Sequence, residues 1–143
     1  MLWNSSGRLR SRLAVFGIAV GLATGVAAAE PAALKVAMLV GEDEYETWET
    51  LPAFAEAHLD PRGVRTTILH ADPQNPNHFP GIERIAEADV LLISVRRRPL
   101  PKAELDAVRN YLKAGKPIVG IRTTSHAFAA RANTKVADRQ DQW

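Results

Sequence analysis

Four strand-like runs punctuate the chain, and each of the first three is followed by enough residues to hold a helix. They are residues 33–40 (ALKVAMLV), 64–70 (VRTTILH), 89–95 (DVLLISV) and 117–121 (PIVGI). The first, third and fourth are nearly continuous in apolar character, as expected of strands buried on both faces, and the second is rich in β-branched residues. Between them, residues 47–59 carry Leu51, Phe54, Ala55, His58 and Leu59 at helical spacing, with Pro52 near the start where its missing N–H is tolerated. Residues 82–88 predict a short helix. Residues 101–114 predict the clearest one, opened by Pro101, with Leu105, Val108 and Leu112 on one face and Gly115 as its stop. A last helix is expected over 124–130, capped by Thr123 or Thr124. Strands separated by helices cannot pair as hairpins, so the alternation predicts an α/β fold: a mostly parallel sheet, right-handed crossovers and helices on both faces. Residues 131–143 (RANTKVADRQDQW) continue neither pattern and read as an irregular tail from 132 onward.

The net charge of +2 invites a basic-protein reading until the first 29 residues are set apart. They hold Arg8, Arg10 and Arg12 and no acid; beyond them fifteen Lys and Arg face sixteen Asp and Glu, so no nucleic-acid partner is inferred from charge. The arginines, the apolar stretch 13–26 (LAVFGIAVGLATGV) and the small residues Ala27, Ala28 and Ala29 have the three parts of an export signal. Residues 1–29 are therefore expected to be a cleaved signal peptide, leaving no stable membrane span and placing the mature domain, residues 30–131, in the periplasm or outside the cell. Having no cysteine fits an exported protein without disulfides and excludes thiol nucleophiles and thiolate metal sites.

Open parallel sheets bind ligands outside the carboxyl ends of their strands, at the switch in strand order. The exits here are Gly41 to Glu44, His70 to Asp72, Ser94 to Arg98 and Arg122 to His126. A strand order of 2-1-3-4 would bring the acidic exit of the first strand beside the basic exit of the third. Glu42, Asp43 and Glu44 read either as acid–base or metal-binding carboxylates or as a solvated loop paired with arginines. Arg96, Arg97 and Arg98 read either as donors to an anionic or polyhydroxylated ligand or as partners of that loop, with Arg97 the foremost ligand contact. Tyr45 and Trp48 offer a stacking platform for a sugar ring, or rim packing.

Arg122 occupies the strand-to-helix turn where many α/β enzymes display a nucleophile. A guanidinium keeps its proton at neutral pH and cannot attack, but its five N–H donors can hold an oxyanion, a carboxylate or a sugar hydroxyl. Ser125 beside His126 is a poor dyad on a helix, where neighbours in sequence diverge. His126, in the first turn of the expected helix, is placed to accept a proton or ligate a metal. His70 and His78 could join it, although no His pair has ligand spacing, and His58 reads as structural. Metal and cofactor are left unassigned. Gly41-Glu-Asp-Glu stands where a dinucleotide-binding glycine motif would be, and no Walker loop is present.

Taken together, the segments VGEDEY (40–45), LPAFA (51–55), LHAD (69–72), SVRRRPLP (94–101) and GKPIVGIRTTSHAF (115–128) resemble the exported bacterial branch of the ThuA-like (trehalose-utilisation-like) family. The resemblance runs from about residue 34 to 131. It implies a flavodoxin-like layered fold, similar to class I glutamine amidotransferases, and a link to carbohydrate metabolism. The amidotransferases carry Gly-Ile-Cys where this chain has Gly120-Ile121-Arg122, and ThuA-like proteins more often place His there. Family members continue with further strands and a His- and Gly-rich segment, so the chain is expected to be a C-terminally truncated member. The resulting candidates are Glu42 and His126 for catalysis and Arg97, Arg122 and Tyr45 for a sugar-like ligand. The alternatives are a non-catalytic binding or interaction module and an inactive fragment.

Overall fold

A computed structural model describes residues 32–131 and the backbone of 140–141. The expected signal peptide and most of the tail lie outside the described residues. In chain order the elements are β1 (Lys35–Gly41), α1 (Thr47–Phe54), β2 (Arg65–His70), β3 (Val90–Val95), β4 (Leu100–Pro101), α2 (Lys102–Lys113), β5 (Ile118–Gly120) and β6 (Gln140–Asp141). A 3-10 helix over Ile82–Glu87 precedes β3. The main sheet is four-stranded and parallel throughout, in the order β2-β1-β3-β5. The chain is thus the α/β protein that its alternation predicts. It steps from β1 to β2 on one side and then crosses to β3 on the other, so the switch in strand order falls between β1 and β3.

Side chains of β1 alternate between two cores. Val36, Met38 and Val40 face Leu51 and Ala55 on the α1 side. Ala37 and Leu39 face Ile82, Ile85, Leu105, Val108 and Tyr111, contributed by the 3-10 helix and α2. Period-two alternation in a strand with apolar residues at every position is what lets one strand serve both layers. Phe79, fully buried, joins the second core from the long Pro/Asn-rich loop. Its ring lies so close to Gly41 that a Cβ there would sit 2.5 Å from Phe79 Cζ, so β1 must end on glycine for this loop to dock. Glu104 fastens the same loop to α2, accepting from the Phe79 N–H at 2.9 Å and pairing with His78.

Four local expectations are revised. The first helix is α-helical only to Phe54; Ala55–Leu59 widens into a π-helical turn, Asp60–Arg62 closes as 3-10, and Gly63 ends it at φ 73°. Pro52 sits in its second turn, not its first. β5, read as buried, leaves Ile118 and Val119 44% and 46% exposed, because it is an edge strand whose neighbour in the sheet is β3 alone. The helix expected over 124–130 is a five-residue 3-10 turn, Arg122–His126. The Thr124 hydroxyl reaches the carbonyls of Ile93 (2.7 Å) and Ile121 (2.8 Å), and this side-chain competition for backbone acceptors tightens the turn. Within the tail, Gln140–Asp141 pairs antiparallel with Leu100–Pro101, a two-residue ladder that the sequence reading did not anticipate. No helix among the described residues is long and apolar enough to cross a membrane.

Candidate functional site at the carboxyl rim of the sheet

Parallel strands deliver their trailing loops to one end, and the backbone there is under local strain. Among the described residues three non-glycine residues adopt positive φ: Glu46 (53°), Arg97 (53°) and Arg122 (51°). They lie in the loops leaving β1, β3 and β5. Each such residue costs on the order of 1–2 kcal/mol, a cost sustained only where surrounding contacts hold the loop.

The contacts are built on Glu42. Its carboxylate is buried and accepts four hydrogen bonds: Oε2 from the N–H groups of Glu44 (2.7 Å) and Tyr45 (2.9 Å), Oε1 from the N–H (3.2 Å) and hydroxyl (2.7 Å) of Thr47. The Ser94 hydroxyl donates in turn to Thr47 Oγ1 at 3.0 Å, tying the end of β3 to the start of α1. Burial alone would push the Glu42 carboxyl up, but the Thr47 hydroxyl and the three main-chain donors outweigh it and hold the carboxyl below its ordinary value of 4.5. A carboxylate so occupied is a poor proton acceptor, so the structure supports Glu42 as the anchor of the β1 exit loop and gives no geometry for general-base work. Thr47 and Ser94 were not singled out from sequence. The available signal was Ser94, a hydroxyl inside an otherwise apolar strand.

The arginines divide. Arg96 pairs with Glu44 and Arg98 with Asp43, while Arg98 Nε also donates to the Gly41 carbonyl at 3.1 Å. These two follow the ion-pair reading and weld the acidic and basic exits across the β1/β3 switch. Among the described residues Arg97 pairs with no carboxylate; its main-chain N–H donates to the His126 carbonyl (3.2 Å) and its guanidinium to the Ala130 carbonyl (3.4 Å). Arg122 is exposed, and its guanidinium carbon lies 3.6 Å from the centroid of the Tyr45 ring. Cation–π stacking of this kind uses the face of the guanidinium and leaves its edge N–H groups directed outward. Tyr45, Arg122, Arg97 and His126 therefore gather near the β3 and β5 exits, above the Glu42 anchor.

His126 is the last residue of the 3-10 turn, so the helix-start argument made for it does not apply. Its Nδ1 lies 3.2 Å from Ser125 Oγ. Neighbours that would diverge on an α-helix meet here, which corrects the expectation that this pair stays apart. Gly120 completes the turn: a Cβ there would come within 2.9 Å of Thr124 Cγ2. The β5 exit thus has the close-packed strand-to-helix bend of a nucleophile elbow, with Arg122 at its apex.

On the other side of β1 a crevice of about 380 Å³ opens between the β1 and β2 exits. Trp48, Asp43, His70, Asp72 and Arg98 supply its functional groups, and Glu42 forms part of its wall. Trp48 is 43% exposed. Asp72 is held by an Asx turn, accepting from the N–H of Gln74 at 2.7 Å, and the loop carrying it is fixed from below by Phe79. Among the described residues no three His, Asp or Glu side chains converge as metal ligands would, and His78 is committed to Glu104. Comparison with protein-family models, with curated proteins and with solved structures returns no match.

Proposed function

We propose that this chain is an exported ThuA-like domain that binds a carbohydrate or sugar derivative at the carboxyl rim of its sheet. The observation that carries the reading is the crevice beside the switch point, where the exposed Trp48 ring stands next to Asp43, Asp72 and His70. An aromatic face against the apolar side of a sugar ring, with carboxylate and imidazole groups at the edge for hydroxyls, is the division of labour that polyhydroxylated ligands require. The β2-β1-β3-β5 order and the elbow at Arg122 support the flavodoxin-like, glutamine amidotransferase-like assignment. Arg122, stacked on Tyr45, Arg97 and His126 lie across β1 from that crevice, so on this reading a ligand long enough to pass over the switch point meets the two guanidinium groups with an oxygen and His126 as the group left to move a proton.

A second reading, a non-catalytic binding module, is favoured by the state of Glu42: the best-placed buried carboxylate is saturated with donors and stays ionised. Calorimetric titration of the mature domain with a panel of neutral and acidic mono- and disaccharides tests the binding claim. Binding by wild type that falls at least tenfold in Trp48→Ala supports it; no binding across the panel, or binding untouched by Trp48→Ala, overturns it. Product analysis on any sugar bound, in wild type and His126→Ala, separates the two readings: turnover lost with binding retained marks an enzyme, and bound sugar recovered unchanged from wild type marks a module.

A further inference from the structure

The opposite end of the sheet carries a second polar cavity. It measures about 210 Å³ and lies where β1 and β2 begin, closed by the 3-10 helix before β3. Lys35, Arg65 and Arg84 line it with Thr67 and a single carboxylate, Glu87. Lys35 and Arg65 are direct partners in the parallel register, as are Ala37 and Thr67 one step further along the same face. Like charges facing each other across a strand pair are destabilising, and Arg84 adds a third cation from another element. Among the described residues none of the three side chains is ion-paired, whereas Arg96, Arg98, Lys102 and Arg109 all are. Asp89, which does not line the notch, accepts at Oδ2 from the Lys35 main-chain N–H at 2.8 Å.

We infer that this notch is a binding site for a phosphate group, free or as a small phosphomonoester. Two guanidinium forks and an ammonium, brought from three elements around one polar hollow, match the several oxygens of a tetrahedral dianion, and the Thr67 hydroxyl supplies a further donor. The volume accommodates one such group with a few waters, given about 30 Å³ for each water. Occupancy would relieve the repulsion between Lys35 and Arg65 and link the starts of β1 and β2 to the 3-10 helix. The site is separated from the carboxyl rim by the length of β1, roughly 20 Å, so it does not depend on the sugar-binding reading.

Thermal unfolding and calorimetry of the mature domain with inorganic phosphate, against sodium chloride at equal ionic strength, test this. Phosphate should raise the unfolding midpoint where chloride does not, since a ligand specific to the folded state stabilises it by mass action. Arg65→Gln and Arg84→Gln should each weaken phosphate binding about tenfold, while Lys113→Gln, which removes an exposed charge elsewhere, should leave it unchanged. The notch arginines are exposed, so these variants should keep the wild-type far-UV spectrum. Equal responses to phosphate and chloride, or phosphate binding retained in the double variant Arg65→Gln/Arg84→Gln, would overturn the inference.

Discussion

Replacing Glu42 by Gln probes whether the rim is held up by one buried carboxylate. The amide keeps the shape but offers one acceptor oxygen and one donor nitrogen to four donors. Its best orientation places the oxygen at the Oε2 position, retaining the N–H groups of Glu44 and Tyr45, and the NH₂ toward Thr47. The Thr47 hydroxyl can adapt by accepting from that NH₂, provided its own proton turns elsewhere, but the Thr47 main-chain N–H cannot. One orphaned main-chain donor, a disturbed link to Ser94 and the loss of charge assistance in two bonds together come to about 2–3 kcal/mol at neutral pH. Urea unfolding followed by circular dichroism measures this directly. The sign of the pH dependence is fixed by the depressed carboxyl: its stabilisation is fully present above 4.5 and is lost as pH falls through the lower folded-state value, so the gap between wild type and Glu42→Gln should narrow as the solution is made acid. A cost under about 0.5 kcal/mol at pH 7, or a gap that does not narrow in acid, would refute the anchor.

Gly41→Ala should destabilise by about 1–3 kcal/mol and release the loop over 71–81, because the new methyl collides with a fully buried ring; amide exchange in that loop should accelerate, and unchanged protection would count against the docking role of Phe79. Arg122→Gly should stay within about 1 kcal/mol of wild type in urea unfolding, since relief of positive φ offsets the lost stacking on Tyr45 and the added freedom of the unfolded chain, yet it should weaken sugar binding; a large loss of stability would mean that Arg122 is structural.

The strands and their parallel arrangement were legible because burial leaves a local signature: largely apolar or β-branched runs, two of them set off from the preceding helix by a glycine, Gly63 or Gly115, that ends it at positive φ. The rim was legible as a place for the same reason, since parallel strands must send their exits to one end. Which groups meet there was not legible. Nothing local distinguishes Arg97 from Arg96 and Arg98, and the sorting into carboxylate-paired guanidinium groups and one that reaches a main-chain carbonyl depends on how Asp43 and Glu44 reach across the switch point.

Periodicity therefore determined the layers, the number of main strands and the end of the sheet at which a site could form, because each is set by which residues along one segment avoid water. Only the tertiary structure decided that Glu42 is enclosed by donors, that Arg122 lies on Tyr45, that Ser125 and His126 touch, and that Phe79 reaches under Gly41 from a loop. Those contacts join residues whose separation in space follows from crossover geometry and from a single hydroxyl, that of Thr124, tightening one turn. Hydrophobic spacing carries no record of either.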